Sequence, residues 1–249
     1  MTIDLFAHCG PWTRRDIGVE PAGLWDQLAP FGVQKVYAGR LEALWFENAH
    51  DANRHAESLP PGPPGVVRVP VLDPSLATWR EELDRLQARG PVPMVLLYPN
   101  YHSYALDSVD VMFDALAKRR IVAQIVARMD DPRRQHRLAQ VSDVAPDVVL
   151  AAAVRHPGTR ILLCGAMITG LKSLAAKVGN VRNLWADTSQ VDGVGAVQGL
   201  MKTAWGDRLV FGSHAPLFYP EAALGRVVLD LDDAECEAVL RGNAARLIG

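Results

Sequence analysis

The sequence predicts an α/β fold, a single (β/α)8 barrel of the TIM type with an extra C-terminal helix, occupying residues 1–249 as one domain. Three observations predict it. The length of 249 residues suits an architecture that usually runs to about 250. Short β-branched runs alternate with helix-like stretches along the whole chain, which is the pattern of βα units and a parallel sheet. The strand-like runs number eight, and the eighth is followed by its own helix-like segment.

In chain order the strands are expected over residues 3–9, 34–38, 66–72, 94–98, 121–128, 160–164, 183–187 and 209–212. Amphipathic or Ala-rich segments expected as helices fall at 21–28, 47–57, 76–89, 108–119, 147–155, 171–177, 194–204 and 220–228. The Pro-rich stretch 59–65 is a loop into the third strand, because neither side of it is long enough for a second fold. A last helix is expected over 232–247. Acidic residues open it and Arg241 and Arg246 close it, an order favourable to the helix macrodipole.

Composition narrows the function classes. A formal charge of -2 supplies no basic field for nucleic acid or an anionic membrane. Cys9, Cys164 and Cys236 are odd in number and far apart, which argues against a disulfide framework and fits a reducing compartment. The first residues show no basic segment followed by an apolar one, and no apolar run reaches the roughly 18 residues of a spanning helix. A soluble, cytoplasmic protein acting on a small molecule is expected.

Barrel active sites lie on the loops at the carboxyl ends of the strands, and here those ends are polar. His8 and Phe6 share one strand face by the period of two and point into the barrel. The turn after strand 4 clusters Asn100, Tyr101, His102 and Tyr104 into a candidate substrate wall. Arg128 shares the face of Gln124, and an inward Arg needs a carboxylate such as Asp131 or an anionic ligand. Arg133 and His136 form either an acid clamp or a solvated loop of local ion pairs. Asp187 ends strand 7, either orienting a histidine or capping a turn. His214 ends strand 8 after Gly212-Ser213.

These strand ends resemble the amidohydrolase superfamily. Ile3-Asp-Leu-Phe-Ala-His8 is similar to its strand 1 motif, Asp followed by His-x-His. Phe211-Gly-Ser-His-Ala-Pro216 is similar to its strand 8 motif Phe-Gly-Ser-Asp-x-Pro. Gly242-Asn-Ala-Ala-Arg-Leu247 is similar to the ending of the amidohydrolase-related branch that holds decarboxylases and lactonases. The resemblance implies a metal centre built from strand 1 histidines, histidines of strands 5 and 6, and the strand 8 Asp. Here Phe6 stands at the first His, Arg128 or a neighbour at strand 5, Cys164 near the strand 6 position and His214 at the Asp; His8 alone matches.

The resulting expectation is a hydrolase or lyase without a cofactor or metal. It acts on a small, oxygen-rich, anionic substrate, such as a lactone or a carboxylated sugar or ring. His214 is its general base at the position where the family places one, His8 is a second acid or polariser, and Asp187 belongs to the catalytic group. Asn100, Tyr101, His102, Arg128, Arg133 and His136 are the expected substrate contacts. Two alternatives stay open. One is a non-catalytic barrel that binds a ligand or partners a homologous chain, or associates with its own copies. The other is a rebuilt zinc hydrolase with one Zn at His8 and His214, joined by Cys164 and, as a fourth ligand, His102.

Overall fold

Strand residues that alternate between two apolar environments build the wall of the barrel. The computed structural model describes residues 1–249, the side chain of Arg134 excepted. Its strands are β1 (Thr2–Cys9), β2 (Val33–Arg40), β3 (Val66–Arg68), β4 (Met94–Leu97), β5 (Val122–Val126), β6 (Ile161–Cys164), β7 (Leu184–Asp187) and β8 (Leu209–Val210). On β4, Met94 and Leu96 join an inner cluster with Phe6, Val122, Leu162 and Val210. Val95 and Leu97 join an outer one with Phe113, Ile125, Leu163 and Leu171, beneath the helices. This is the period of two expected of a strand buried on both faces.

All ladders are parallel, in the orders β1-β2-β3 and β4 through β8. Two irregular seams close the ring. Leu96 N–H donates to Pro70 O at 2.8 Å and accepts, through its carbonyl, from Leu72 N–H at 2.9 Å. On the other side Leu5 N–H donates to Phe211 O at 3.0 Å, His214 N–H to Phe6 O at 2.8 Å and His8 N–H to Ala215 O at 2.8 Å. The eight-stranded barrel read from the sequence is therefore present. β3 stops at Arg68 rather than at residue 72, because Pro70 has no N–H to continue the ladder.

The outer helices are α1 (Pro21–Leu28), α2 (Asp51–Ser58), α3 (Trp79–Arg89), α4 (Asp110–Lys118), α5 (Pro146–Arg155), α6 (Ile168–Leu174), α7 (Ala196–Met201) and α8 (Pro220–Val228). Pro at the first helical position of α1, α5 and α8 starts each where its missing N–H costs nothing. The Pro-rich loop lies flat on α1: a Cβ on Gly65 would come within 2.1 Å of the Trp25 ring.

The expected terminal helix is present and helical throughout Asp233–Ile248, but it is not a regular α-helix along its length. It runs as α9 (Asp233–Glu237), a π-helical turn (Ala238–Gly242) and α10 (Asn243–Ile248). Asp232 and Glu235 form a reciprocal capping box at its start, which satisfies two otherwise free N–H groups. The widened turn lies where Val239 O accepts Phe211 N–H at 3.0 Å, so strand and helix compete for one carbonyl. Buried Asn243 fastens α10 to the barrel by donating to Leu209 O at 2.6 Å and Gly206 O at 3.2 Å.

Candidate active site

The seam between β1 and β8 places two imidazoles side by side. His214 has φ +57°, a left-handed conformation uncommon for residues other than Gly, and its N–H bond to Phe6 O holds it there. Beneath them Asp4 Oδ1 accepts Phe6 N–H at 3.1 Å and Ser213 N–H at 3.0 Å, clamping the two strand ends together. His8 Nε2 then stands 3.1 Å from His214 Nδ1, and His214 Nε2 stands 2.6 Å from Met129 O.

That order of contacts sets the protons. A carbonyl oxygen only accepts, so His214 Nε2 carries hydrogen and, in the neutral ring, Nδ1 does not. His8 Nε2 must therefore donate to it. The lone pair on His8 Nδ1 is left over, buried and without a partner among the described residues. Burial pushes the His8 pKa well below its ordinary value, and the neighbouring His214 adds to this. Burial lowers His214 to about 4 against the favourable Met129 carbonyl. Both rings are neutral at pH 7. Phe6 packs against both, its ring centroid 4.7 Å from each.

The barrel interior below is polar as well. Burial raises the carboxyls of Asp4 and Asp187 each to about 7. Asp187 Oδ1 accepts Gly165 N–H at 2.9 Å, while Oδ2 of both acids lacks a partner among the described residues. Gln124 donates to Leu5 O at 2.8 Å and to Cys164 Sγ at 3.2 Å, and burial pushes the Cys164 thiol far up.

The loop from Gly10 to Val19 crosses the mouth, its ends pinned by Gly10 N–H to Val19 O at 2.8 Å. Arg14 sits 5.3 Å from the ring centroids of both Trp12 and Trp45 and donates to Ala139 O at 2.8 Å. Arg15 donates to Leu217 O at 3.1 Å. Tyr101 meets Trp45 edge-on at 6.0 Å. Under this cover His8 and His214 have no solvent exposure. The cover is rich in donors: Trp12 Nε1, Arg14 Nη1, Arg15 Nε and Arg128 Nε are buried without hydrogen-bond partners among the described residues.

The structure brings His8 and His214 into contact, sets Asp187 in the interior near Asp4, and places Tyr101 in the aromatic cover. The remaining expected substrate contacts have protein partners. Asn100 donates to Ser142 O, and His102 Nε2 lies 2.8 Å from Ala43 O. Arg128 stands 3.7 Å from Asp131 and 3.9 Å from Asp143. Arg133, its side chain 88% exposed, pairs with Asp131, and exposed His136 accepts Leu138 N–H at 3.3 Å as a turn cap. Arg133 and His136 are thus held by a local ion pair and a turn. Asp4, Arg14, Arg15 and the Met129 carbonyl are site groups that the strand-end pattern does not single out, although Arg14-Arg15, two residues after Trp12, is a visible signal.

The donors present do not suit the metal centre that the family resemblance implies. Catalytic metals take about three convergent protein ligands, yet the facing nitrogens of His8 and His214 bind each other and Met129 takes the third. Among the described residues no three His, Cys, Asp or Glu side chains are grouped to hold a metal ion.

A model of the amidohydrolase family (Amidohydro_2) matches residues 15–249. No curated protein matches the sequence. Solved structures share the fold at low identity. The 5-carboxyvanillate decarboxylase from Sphingomonas paucimobilis superposes with TM-score 0.73 at 15% identity, covering 99% of this chain and 98% of that one. The 2,6-dihydroxybenzoate decarboxylase from Rhizobium gives 0.71 at 15% identity, with 99% and 98% covered. A dihydroxybenzoic acid decarboxylase from Polaromonas, solved with bound manganese and the inhibitor 2-nitroresorcinol, gives 0.63 at 13% identity, with 99% and 96% covered.

Proposed function

The chain belongs to the amidohydrolase family, and on that footing we propose that it is a hydrolase or lyase for a small, oxygen-rich anion, a lactone or a carboxylated ring, working without an obligatory metal. One observation carries this reading: the line from Met129 O through His214 to His8 ends in an unshared, buried lone pair on His8 Nδ1. The general base is then His8, and His214 is the group behind it, the reverse of the roles expected from the motif.

The chemistry follows from those atoms. In hydrolysis, a water attacking the substrate carbonyl gives its proton to His8 Nδ1. His8 can pass its Nε2 proton to His214 Nδ1, which spreads the positive charge over two rings beside the Met129 carbonyl. The carbonyl oxygen that gains negative charge is met by the free N–H groups of Arg15 and Trp12. Collapse of the tetrahedral species returns one proton to the leaving alkoxide. Trp12, Trp45 and Tyr101 offer ring faces to a flat substrate, a feature in keeping with the aromatic acids named for the decarboxylases of this fold. Access requires the 11–18 loop to lift, releasing Arg14 from Ala139 and Arg15 from Leu217.

The three cysteines are free and no helix is long and apolar enough to cross a membrane; both features accord with the cytoplasmic setting proposed here. A second reading, a barrel that binds a ligand or a homologous chain without turnover, is favoured by one observation, the complete burial of both imidazoles. The two separate in one experiment. Protein stripped with chelator is assayed against panels of lactones and hydroxylated benzoates, with His8→Gln alongside. Turnover that persists without metal and vanishes in His8→Gln supports the enzyme. Tight binding without turnover supports the second reading, and turnover that returns only with added divalent ion overturns the metal-free mechanism.

A further inference from the structure

Outside the barrel wall, between β2, β3 and the helices α2 and α3, lies a cavity of about 260 Å³. Its walls are mostly apolar, lined by Ala38, Ala56, Val66 and Leu86 together with Cys9. An apolar cavity of about 150 Å³ already holds a benzene. This one has room for a compact body of somewhat larger size.

One charge in that wall is uncompensated. Arg40 is paired with Glu20 and Glu42, and Arg89 shares Glu57 with Arg85. Arg68 also lines the cavity, and among the described residues no carboxylate lies in ion-pair range of it. Its Nη2 is spent on the carbonyls of Leu59 at 3.3 Å and Pro60 at 2.8 Å. Those bonds hold the guanidinium against the Pro-rich loop. The Nε and Nη1 hydrogens make no hydrogen bond to the described residues. A half-buried guanidinium beside apolar walls gains most from a carboxylate that brings its own apolar body.

We propose that this cavity is a second small-molecule site, separate from the barrel mouth, that takes a monocarboxylate with a short apolar body. The carboxylate accepts from Arg68 Nε and Nη1, and the body packs on Ala38, Ala56, Val66 and Leu86. Glu57 does not oppose it, since two arginines already neutralise that side chain.

The test titrates hexanoate and its neutral amide, hexanamide, into the full-length protein by calorimetry and by chemical shift. One hexanoate is expected to bind at millimolar concentration or tighter, and hexanamide more than about tenfold weaker, the usual range for loss of a charge-assisted bond. Arg68→Gln should weaken hexanoate by a similar factor, Arg68→Lys by only a few fold, and Ala56→Leu, which fills the space, should abolish binding. Melting curves establish that each variant is folded; if Arg68→Gln fails to fold, Ala56→Leu and the amide decide. Arg14→Gln, at the mouth, should change nothing. The proposal is overturned by absence of binding, by equal affinity for the amide, by binding that survives Ala56→Leu, or by binding that Arg14→Gln removes, which would assign the hexanoate to the mouth.

Discussion

Asp4 and Ser213, 209 positions apart in sequence, meet where Asp4 Oδ1 accepts the Ser213 N–H at 3.0 Å. The same oxygen holds Phe6 N–H, so one buried carboxyl fixes the residue before His214 and the residue that His8 packs against. The spacing of the two imidazoles is thus set from below. Replacing Asp4 by Ala should free both N–H groups in a dry interior and destabilise the fold by about 2–6 kcal/mol at the usual cost per unsatisfied group. Chemical denaturation reads this directly, and a loss under 1 kcal/mol would mean the clamp is not needed.

His8→Gln should reduce turnover by about a hundredfold to ten-thousandfold, the usual weight of a general base, because an amide supplies no basic nitrogen in place of His8 Nδ1. His214→Gln keeps an acceptor and a donor in line and should lose less. If His214→Gln is the more damaging change in steady-state assays, the motif-based order of roles is restored.

The pH dependence of stability has two opposing parts. His214 titrates at about 4 when folded and at its ordinary 6.5 when unfolded. Its contribution is whole above pH 6.5 and is lost as pH falls toward 4. Asp187 titrates at about 7 when folded against an ordinary 3.8, so its contribution is whole below 3.8 and lost as pH rises through 7. Asp187→Asn should therefore gain on the parent protein between pH 4 and 7 and keep that gain above 7, by a few kcal/mol at about 1.4 kcal/mol per pH unit. Melting temperatures across pH 4 to 8 check the sign.

Phe6→His would set a third imidazole against His8 and His214, completing the count of a mononuclear site. Elemental analysis after dialysis against zinc should give a metal-to-protein ratio near one for this variant and far less for the parent. Equal ratios would show that the pair already binds metal.

Asn243→Ala removes both bonds that join α10 to the start of β8 and should cost about 1–3 kcal/mol without altering turnover per folded molecule. A kcat change in this variant would show that the far end of the barrel reaches the mouth.

Much of the fold was legible because it depends on local pattern. The bounds of α1 and α8 match residue for residue, since Pro21 and Pro220 mark their starts. β3 ends at Arg68, short of the apolar run that reaches residue 72, because Pro70 interrupts the ladder, and the π turn is hidden in the sequence because Phe211 and Val239 meet only in three dimensions. In the site, the motif gave His8 and His214 their neighbourhood. It did not give the direction of the proton line, because that depends on Met129, whose backbone carbonyl has no signature in a side-chain pattern. The free donors of Trp12, Arg14 and Arg15 come from an irregular loop, where periodicity says nothing.

The pinned ends of that loop, Gly10 against Val19, carry a consequence for how the molecule can vary. Anchored at its base, the 11–18 segment can rise without pulling on β1 or α1, so the free energy of opening is uncoupled from that of the barrel. Substitutions at its exposed positions, Pro11, Thr13 and Asp16, should alter how often and how widely the mouth is uncovered, and hence which molecules are admitted, while the melting point stays where the wall sets it. Selection can retune the range of admitted molecules in this segment at little risk to folding.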